Sequence, residues 1–146
     1  MLIIGHRGAK GEEPENTLRA VRAGMACAES VEVDVRLSLD GVPVVMHDPL
    51  LDRTTNGTGP VNEYTKETLQ TLDAGEGEKI PTLEEVCSLV AGHCGLFLEI
   101  KEPGSEEQVC RAGPRSESRL RSRQRICRTQ AEWDALDRAR SRSGAN

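Results

Sequence analysis

No stretch of the chain approaches the ~20 consecutive apolar residues that a membrane-spanning helix needs. The opening Met1-Leu2-Ile3-Ile4-Gly5 is too short and carries no positive side chain, so it does not read as a secretory leader. Cysteines are few and unpaired in pattern: Cys27, Cys87, Cys94, Cys110 and Cys127 form no Cys-x-x-Cys, and none has zinc-site spacing with the three histidines. Free thiols in a cytoplasmic protein are expected. The nucleotide and hydrolase signatures are missing as well. No Gly-x-Gly-x-x-Gly follows the first strand, and no Gly-Lys-Ser/Thr follows the glycines of Asn56-Gly57-Thr58-Gly59. A Gly-x-Ser-x-Gly elbow and a His-Glu-x-x-His helix are also absent, which removes support for the α/β-hydrolase triad and for zincin chemistry.

What is present divides into two unlike pieces. The 146 residues suit one domain and carry 19 basic against 24 acidic side chains, a net charge of −5. Residues 1–110 hold nine Lys/Arg and twenty Asp/Glu, whereas residues 111–146 hold ten arginines and four acids. The second piece has three residues from the Leu/Ile/Val/Phe set (Leu120, Ile126, Leu136) and one aromatic, Trp133. We expect residues 1–110 to be the folded portion and 111–146 to be a tail, disordered or a short helix opening near Thr129-Gln130-Ala131-Glu132. With a single aromatic the tail makes a poor stacking platform, so dedicated nucleic-acid binding is not expected.

Periodicity organises the first piece. Met1–Gly5 reads as a short buried strand. Pro14 suits a helix start, with Leu18, Val21 and Met25 along one face. Val31 to Leu37 alternates strictly with β-branched residues and reads as a strand. Asp40-Gly41 is a turn, and Pro43–Met46 a further strand. Residues 48–60 are turn-rich. A short helix is expected over Thr65–Leu72. Thr82-Leu83-Glu84-Glu85 is a capping box opening a helix with Leu83, Val86, Cys87 and Val90 on its buried face. Leu96–Ile100 is the fourth strand. Apart from the Asp40-Gly41 turn, the connections are long enough for crossovers, which favours a parallel α/β sheet.

Chemistry concentrates on these strands. Glu32 and Asp34 are two residues apart, so they share a face and can converge on one hard cation; the alternative is a solvated face of a half-exposed strand. Glu99 and Lys101 repeat the spacing on the fourth strand, and a sheet gathering all four would join three acids and one cation. His6 and His47 each end a strand, where parallel α/β sheets place their ligands, and histidine is readily tuned for proton transfer. Arg7 can pair with an anionic group such as phosphate or with a surface acid. His93, in a Gly-flanked loop, is expected at the surface.

Six ordered blocks carry a resemblance. They are Gly5-His6-Arg7-Gly8, Pro14-Glu15-Asn16-Thr17, Glu32-Val33-Asp34-Val35, His47-Asp48 with Asp52-Arg53-Thr54-Thr55-Asn56-Gly57, Ile80-Pro81-Thr82-Leu83-Glu84-Glu85, and Leu98-Glu99-Ile100-Lys101. Over residues 1–103 the chain resembles the glycerophosphodiester phosphodiesterase family; the Arg-rich tail does not. The resemblance implies a TIM barrel with a small insertion, of which this chain would supply about four of eight βα units. It also implies a divalent cation, Mg²⁺ or Ca²⁺, held by Glu32, Asp34 and Glu99. His6 and His47 would be the catalytic pair, and Arg7 and Lys101 would bind the phosphate. The implied reaction is hydrolysis of a glycerophosphodiester to glycerol 3-phosphate and an alcohol. A partial barrel calls for a partner, such as a second copy of the chain. Two other readings stand beside this one: an inactive remnant whose tail associates with anions or nucleic acid through charge alone, and another two-histidine phosphodiesterase of phospholipase type.

Overall fold

The computed structural model describes residues 1–113 and the backbone of residues 126–129. Strand β1 (Ile4–Gly5) is followed by helix α1 (Leu18–Cys27), then strands β2 (Ser30–Leu37) and β3 (Pro43–Val45). A 3₁₀ turn at Val61–Glu63, helix α2 (Lys66–Leu69), helix α3 (Leu83–Val90), strand β4 (Gly95–Ile100), helix α4 (Glu106–Ala112) and strand β5 (Ile126–Thr129) complete the order. The sheet runs β1-β2-β4-β5, all neighbours parallel, with β3 antiparallel on β2. It is an open arc of βα units, the class expected.

Local chemistry explains most boundaries. Helix α1 starts at Leu18, four residues after the expected Pro14, because Asn16 adopts a left-handed backbone (φ 58°) and Thr17 accepts the Ala20 amide as N-cap. At α3 the capping box forms as the sequence predicts, and Leu83, Val86, Cys87 and Val90 are its buried face. The helix expected over 65–72 shrinks to Lys66–Leu69, capped by Thr65. Gly8 takes φ 83°, and a Cβ there would sit 2.5 Å from the Ala20 carbonyl carbon, so the β1–α1 loop packs directly on the helix backbone.

Further readings need correction. The buried strand expected over Met1–Gly5 is confined to half-buried Ile4–Gly5, with Met1, Leu2 and Ile3 exposed. Strand β2 is buried on both faces, Glu32 and Asp34 included, so the half-exposed alternative fails. The 43–46 strand is antiparallel: it forms a hairpin with β2 that pairs Val35 with Val45 and Leu37 with Pro43. Order also extends past Val109, where the periodic pattern stops. Helix α4 reaches Ala112 with Val109 buried, and Ile126–Thr129 pairs with β4 inside the stretch expected to be unstructured. The helix expected around Trp133 and Leu136 lies outside the described residues.

Two apolar cores result. Val31, Val33 and Val35 pack under α1 and α3 with Val21, Leu83 and Val86. A second cluster, including Val44, Leu51, Val61, Leu69 and Ile80, supports the excursion from β3 to α3. There Asn56 exchanges hydrogen bonds with the Asp73 backbone, a structural use of that glycine-rich loop. Among the described residues no helix is long and apolar enough to cross a membrane. Cys27, Cys94 and Cys110 are free thiols.

Candidate active site

Parallel pairing places Asp34 directly beside Glu99 across the β2–β4 ladder. One carboxylate oxygen each from Glu32, Asp34 and Glu99 lies within 4.8 Å of the others. Glu32 is 4% exposed and Asp34 fully buried. Burial, and then the neighbouring Asp34 charge, push the Glu32 carboxyl up to about 8. Two oxygens of this cluster, Glu32 Oε1 and Asp34 Oδ1, accept no hydrogen bond. The Lys101 ammonium lies 3.3 Å from Asp34 Oδ1 as an ion pair without hydrogen-bond alignment, and donates to Glu99 Oε1 at 2.5 Å. Buried carboxylate oxygens left without donors, converging from three hard-oxygen side chains, fit a divalent cation.

The β1–α1 loop closes one side. Arg7 sits in the left-handed region (φ 49°), which turns its amide onto Glu32 Oε2 at 3.0 Å. Its guanidinium contacts Glu15 Oε1 at 2.9 Å and Asp34 Oδ2 at 3.3 Å. At 9% exposure it is no surface ion pair. Asn16, also left-handed, donates to Asp34 Oδ2 at 3.0 Å and accepts from the Asp34 amide at 3.3 Å. Strained backbone at two adjoining positions is thus used to aim two polar groups at the acid strand. His6 Nε2 stands 3.9 Å from Glu32 Oε2. Burial, reinforced by the Arg7 charge, lowers the His6 pKa and favours the neutral imidazole.

His47 arrives by a different route from the expected one. It does not end a parallel strand. Antiparallel β3 runs back beside β2 from the overhanging hairpin, and the Met46 amide bonds the Asp34 carbonyl. His47 Nδ1 meets Asp48 Oδ1 at 2.7 Å, and the His47 carbonyl accepts from Arg36 Nε at 2.8 Å. Arg53 donates to Asp48 and to Glu15. Its bonds to Asp48, and then the His47 contact, hold that carboxyl well below the usual range.

Glu32, Asp34 and Glu99 are therefore brought together, with Lys101 on Asp34 and Glu99, Arg7 on Glu32 and Asp34, His6 at their edge and His47 just past β3. His93 is exposed. Sequence reasoning gave no role to Glu15, Asn16, Arg36, Asp48 or Arg53. Glu15 and Arg53 are 38 residues apart, so no spacing rule joins them. The usable signals were the adjacency of Asp48 to His47 and the place of Glu15, Asn16, Asp48 and Arg53 within the resembling blocks.

Comparison with known proteins places the chain in a family. The model of the Glycerophosphoryl diester phosphodiesterase family matches residues 6–139, which carries the likeness beyond residue 103. The chain is 43% identical over 125 residues to the glycerophosphodiester phosphodiesterase of Caldanaerobacter subterraneus subsp. tengcongensis, covering 76% of this chain and 51% of that protein. A phosphodiesterase of Oleispira antarctica, solved in complex with the product sn-glycerol-3-phosphate, superposes with a TM-score of 0.69 at 41% identity, covering 77% of this chain and 49% of the other. The Thermotoga maritima glycerophosphodiester phosphodiesterase gives 0.73 at 35% identity, covering 94% and 57%. The chain spans about half the length of the curated relatives it matches. By motif order, sheet topology and these matches, it belongs to the glycerophosphoryl diester phosphodiesterase family.

Proposed function

We propose that this chain carries the catalytic groups of a metal-dependent hydrolase that splits glycerophosphodiesters into sn-glycerol 3-phosphate and an alcohol. The observation that carries the reading is the buried three-carboxylate cluster with two donor-less oxygens, flanked by Arg7, Lys101 and His6. Glu32, Asp34 and Glu99 would hold Mg²⁺ or Ca²⁺, which as a bound Lewis acid polarises a phosphoryl oxygen. Arg7 and Lys101 supply fixed positive charge where the phosphoryl oxygens gain negative charge in the transition state.

His6 and His47 divide the proton transfers. One takes the proton of the attacking hydroxyl, whether water or the neighbouring glycerol hydroxyl, as the new P–O bond forms. The other gives a proton to the alkoxide as the old P–O bond breaks. If the glycerol hydroxyl attacks first, water opens the resulting cyclic phosphate with the histidine roles reversed.

The test is release of sn-glycerol 3-phosphate from glycerophosphocholine by the purified chain, with Mg²⁺ or Ca²⁺ and with chelator. Release is expected with the cation, lost on chelation and restored by re-addition. His6→Ala and His47→Ala should each reduce turnover by about 10²-fold or more while metal still binds. Absence of product at every cation concentration, or full activity in both histidine variants, overturns the reading.

A further inference from the structure

We propose that Arg53 and Glu15 are positioning residues for His47: through Asp48 they fix the imidazole tautomer that leaves Nε2 free to exchange a proton. The inference deepens the hydrolase reading above and rests on His47 acting as an acid–base group there.

The argument begins with donor counting. Arg53 Nε donates to Asp48 Oδ2 at 2.7 Å, and Nη2 donates to Asp48 Oδ1 at 3.0 Å. Nη2 spends its other hydrogen on Glu15 Oε1 at 2.7 Å, and Nη1 reaches Glu15 Oε2 at 3.1 Å. One planar guanidinium thus forks onto two carboxylates at once, using four of its five N–H groups. A lysine ammonium, a compact point charge, cannot span both forks.

A carboxylate gripped by two guanidinium N–H groups is held ionised, and an ionised carboxylate only accepts hydrogen bonds. The hydrogen in the 2.7 Å contact between His47 Nδ1 and Asp48 Oδ1 must therefore belong to Nδ1. Neutral His47 is then the Nδ1–H tautomer, with its lone pair on Nε2. Arg36 holds the main chain of the same residue through the His47 carbonyl, so backbone and ring are fixed from separate directions.

Glu15 gives the clasp its register. Its Oε1 also accepts Arg7 Nη1 at 2.9 Å, and its side chain is 9% exposed. A continuous chain of charge-assisted bonds runs from His47 through Asp48, Arg53 and Glu15 to Arg7, whose amide and guanidinium meet Glu32 and Asp34. The loop bearing one histidine is keyed to the loop that follows the other. Arg53 itself is half exposed, so its pairs contribute little to stability in water. Orientation is what the double fork supplies.

Ring ¹⁵N spectra of the full chain, labelled at its three histidines, test this. His47→Gln identifies the His47 signals. At alkaline pH, where imidazoles are neutral, wild-type His47 should show a pyrrole-type Nδ1 and a pyridine-type Nε2. Arg53→Ala should shift it towards the Nε2–H tautomer that an unrestrained histidine prefers. Arg53→Lys and Glu15→Gln should fall between, and the His93 signals should stay unmoved. A wild-type His47 in the Nε2–H form overturns the proposal, as does an Arg53→Ala protein that keeps the wild-type tautomer. Should Arg53→Ala not fold, the two milder variants carry the same test.

Kinetics separate the two readings. In an active chain Arg53→Ala should cost about 10–100-fold in kcat, with KM and metal affinity within twofold of wild type and partial rescue by lysine. A locked tautomer in a chain without turnover would retain the positioning role and reject the hydrolase reading. Turnover with a tautomer indifferent to Arg53 would do the reverse.

Discussion

Glu32 shows how burial writes a ligand site into a single side chain. With its carboxyl near 8 in the folded, metal-free protein and at the ordinary value of about 4.5 in the unfolded chain, the folded state binds the proton more tightly. Native stability should therefore fall as pH rises from about 4.5 to 8, and level off above. The difference between wild type and Glu32→Gln isolates this group from the rest; denaturant melts across that range should show the slope in the first and its loss in the second. A carboxylate is also what a cation needs, so binding at pH 7 must displace that proton. Calorimetry in buffers of different ionisation heat should find about one proton released per ion, and affinity should drop about tenfold per pH unit below 8. No proton release would mean that the metal bypasses Glu32. Asn16 is a second case, with a left-handed backbone and a side chain clamped on Asp34. Asn16→Ala should cost about 2–4 kcal/mol in chemical unfolding, combining the αL penalty with an uncapped buried carboxylate. Asn16→Gly should recover about 1 kcal/mol of that, because glycine accepts the backbone but cannot hold Asp34.

Among the elements, two N-caps distinguish support of the fold from support of the site. Thr82 closes the capping box of α3, and Thr17 caps α1 one residue after Asn16, its hydroxyl also donating to the Pro14 carbonyl. Each threonine-to-alanine change should cost about 1 kcal/mol, up to ~2, read as a lower denaturation midpoint at unchanged slope. Metal affinity should fall in Thr17→Ala and hold in Thr82→Ala; equal effects would show that the α1 start does not position Asp34. These elements also mark what the sequence could convey. The capping box, the α3 stripe and the β-branched run of β2 are local signals, and each forms where it reads. Asn16 hides the true start of α1, since a non-glycine left-handed turn has no pattern. The Asp40-Gly41 turn is too short for a crossover, so it already set the 43–46 strand apart from the parallel strands, with which it runs antiparallel. The same-face spacing of Glu32 with Asp34, and of Glu99 with Lys101, was legible because period two is intrinsic to a strand. The Glu15–Arg53 clasp was not, because it exists only after the two loops meet.

On the scale of the whole molecule, the acid cluster is a product of folding. Glu32 and Asp34 are neighbours in any conformation, but Glu99 joins them only through the β2–β4 ladder, and Arg7 and Asn16 come from a third segment. An unfolded chain offers a cation two loosely held carboxylates, so a cation bound at the cluster must favour the folded state. At a concentration 100 times its dissociation constant it adds about 2.7 kcal/mol, which for a chain of this size is roughly 5–10 °C in Tm. Sodium chloride at equal ionic strength should not reproduce this rise, because screening acts on exposed pairs such as Arg19–Glu76 and supplies no ligand to the donor-less oxygens of the buried acids. Asp34→Asn should remove the divalent shift, since it withdraws the fully buried charge to which Arg7, Asn16 and Lys101 are all turned. A cooperative melt raised by Mg²⁺ or Ca²⁺ in wild type alone would establish that β2 and β4 assemble the cluster in solution. A melt that moves equally in Asp34→Asn would place the ion elsewhere, and the donor-less oxygens of Glu32 and Asp34 would then need another partner.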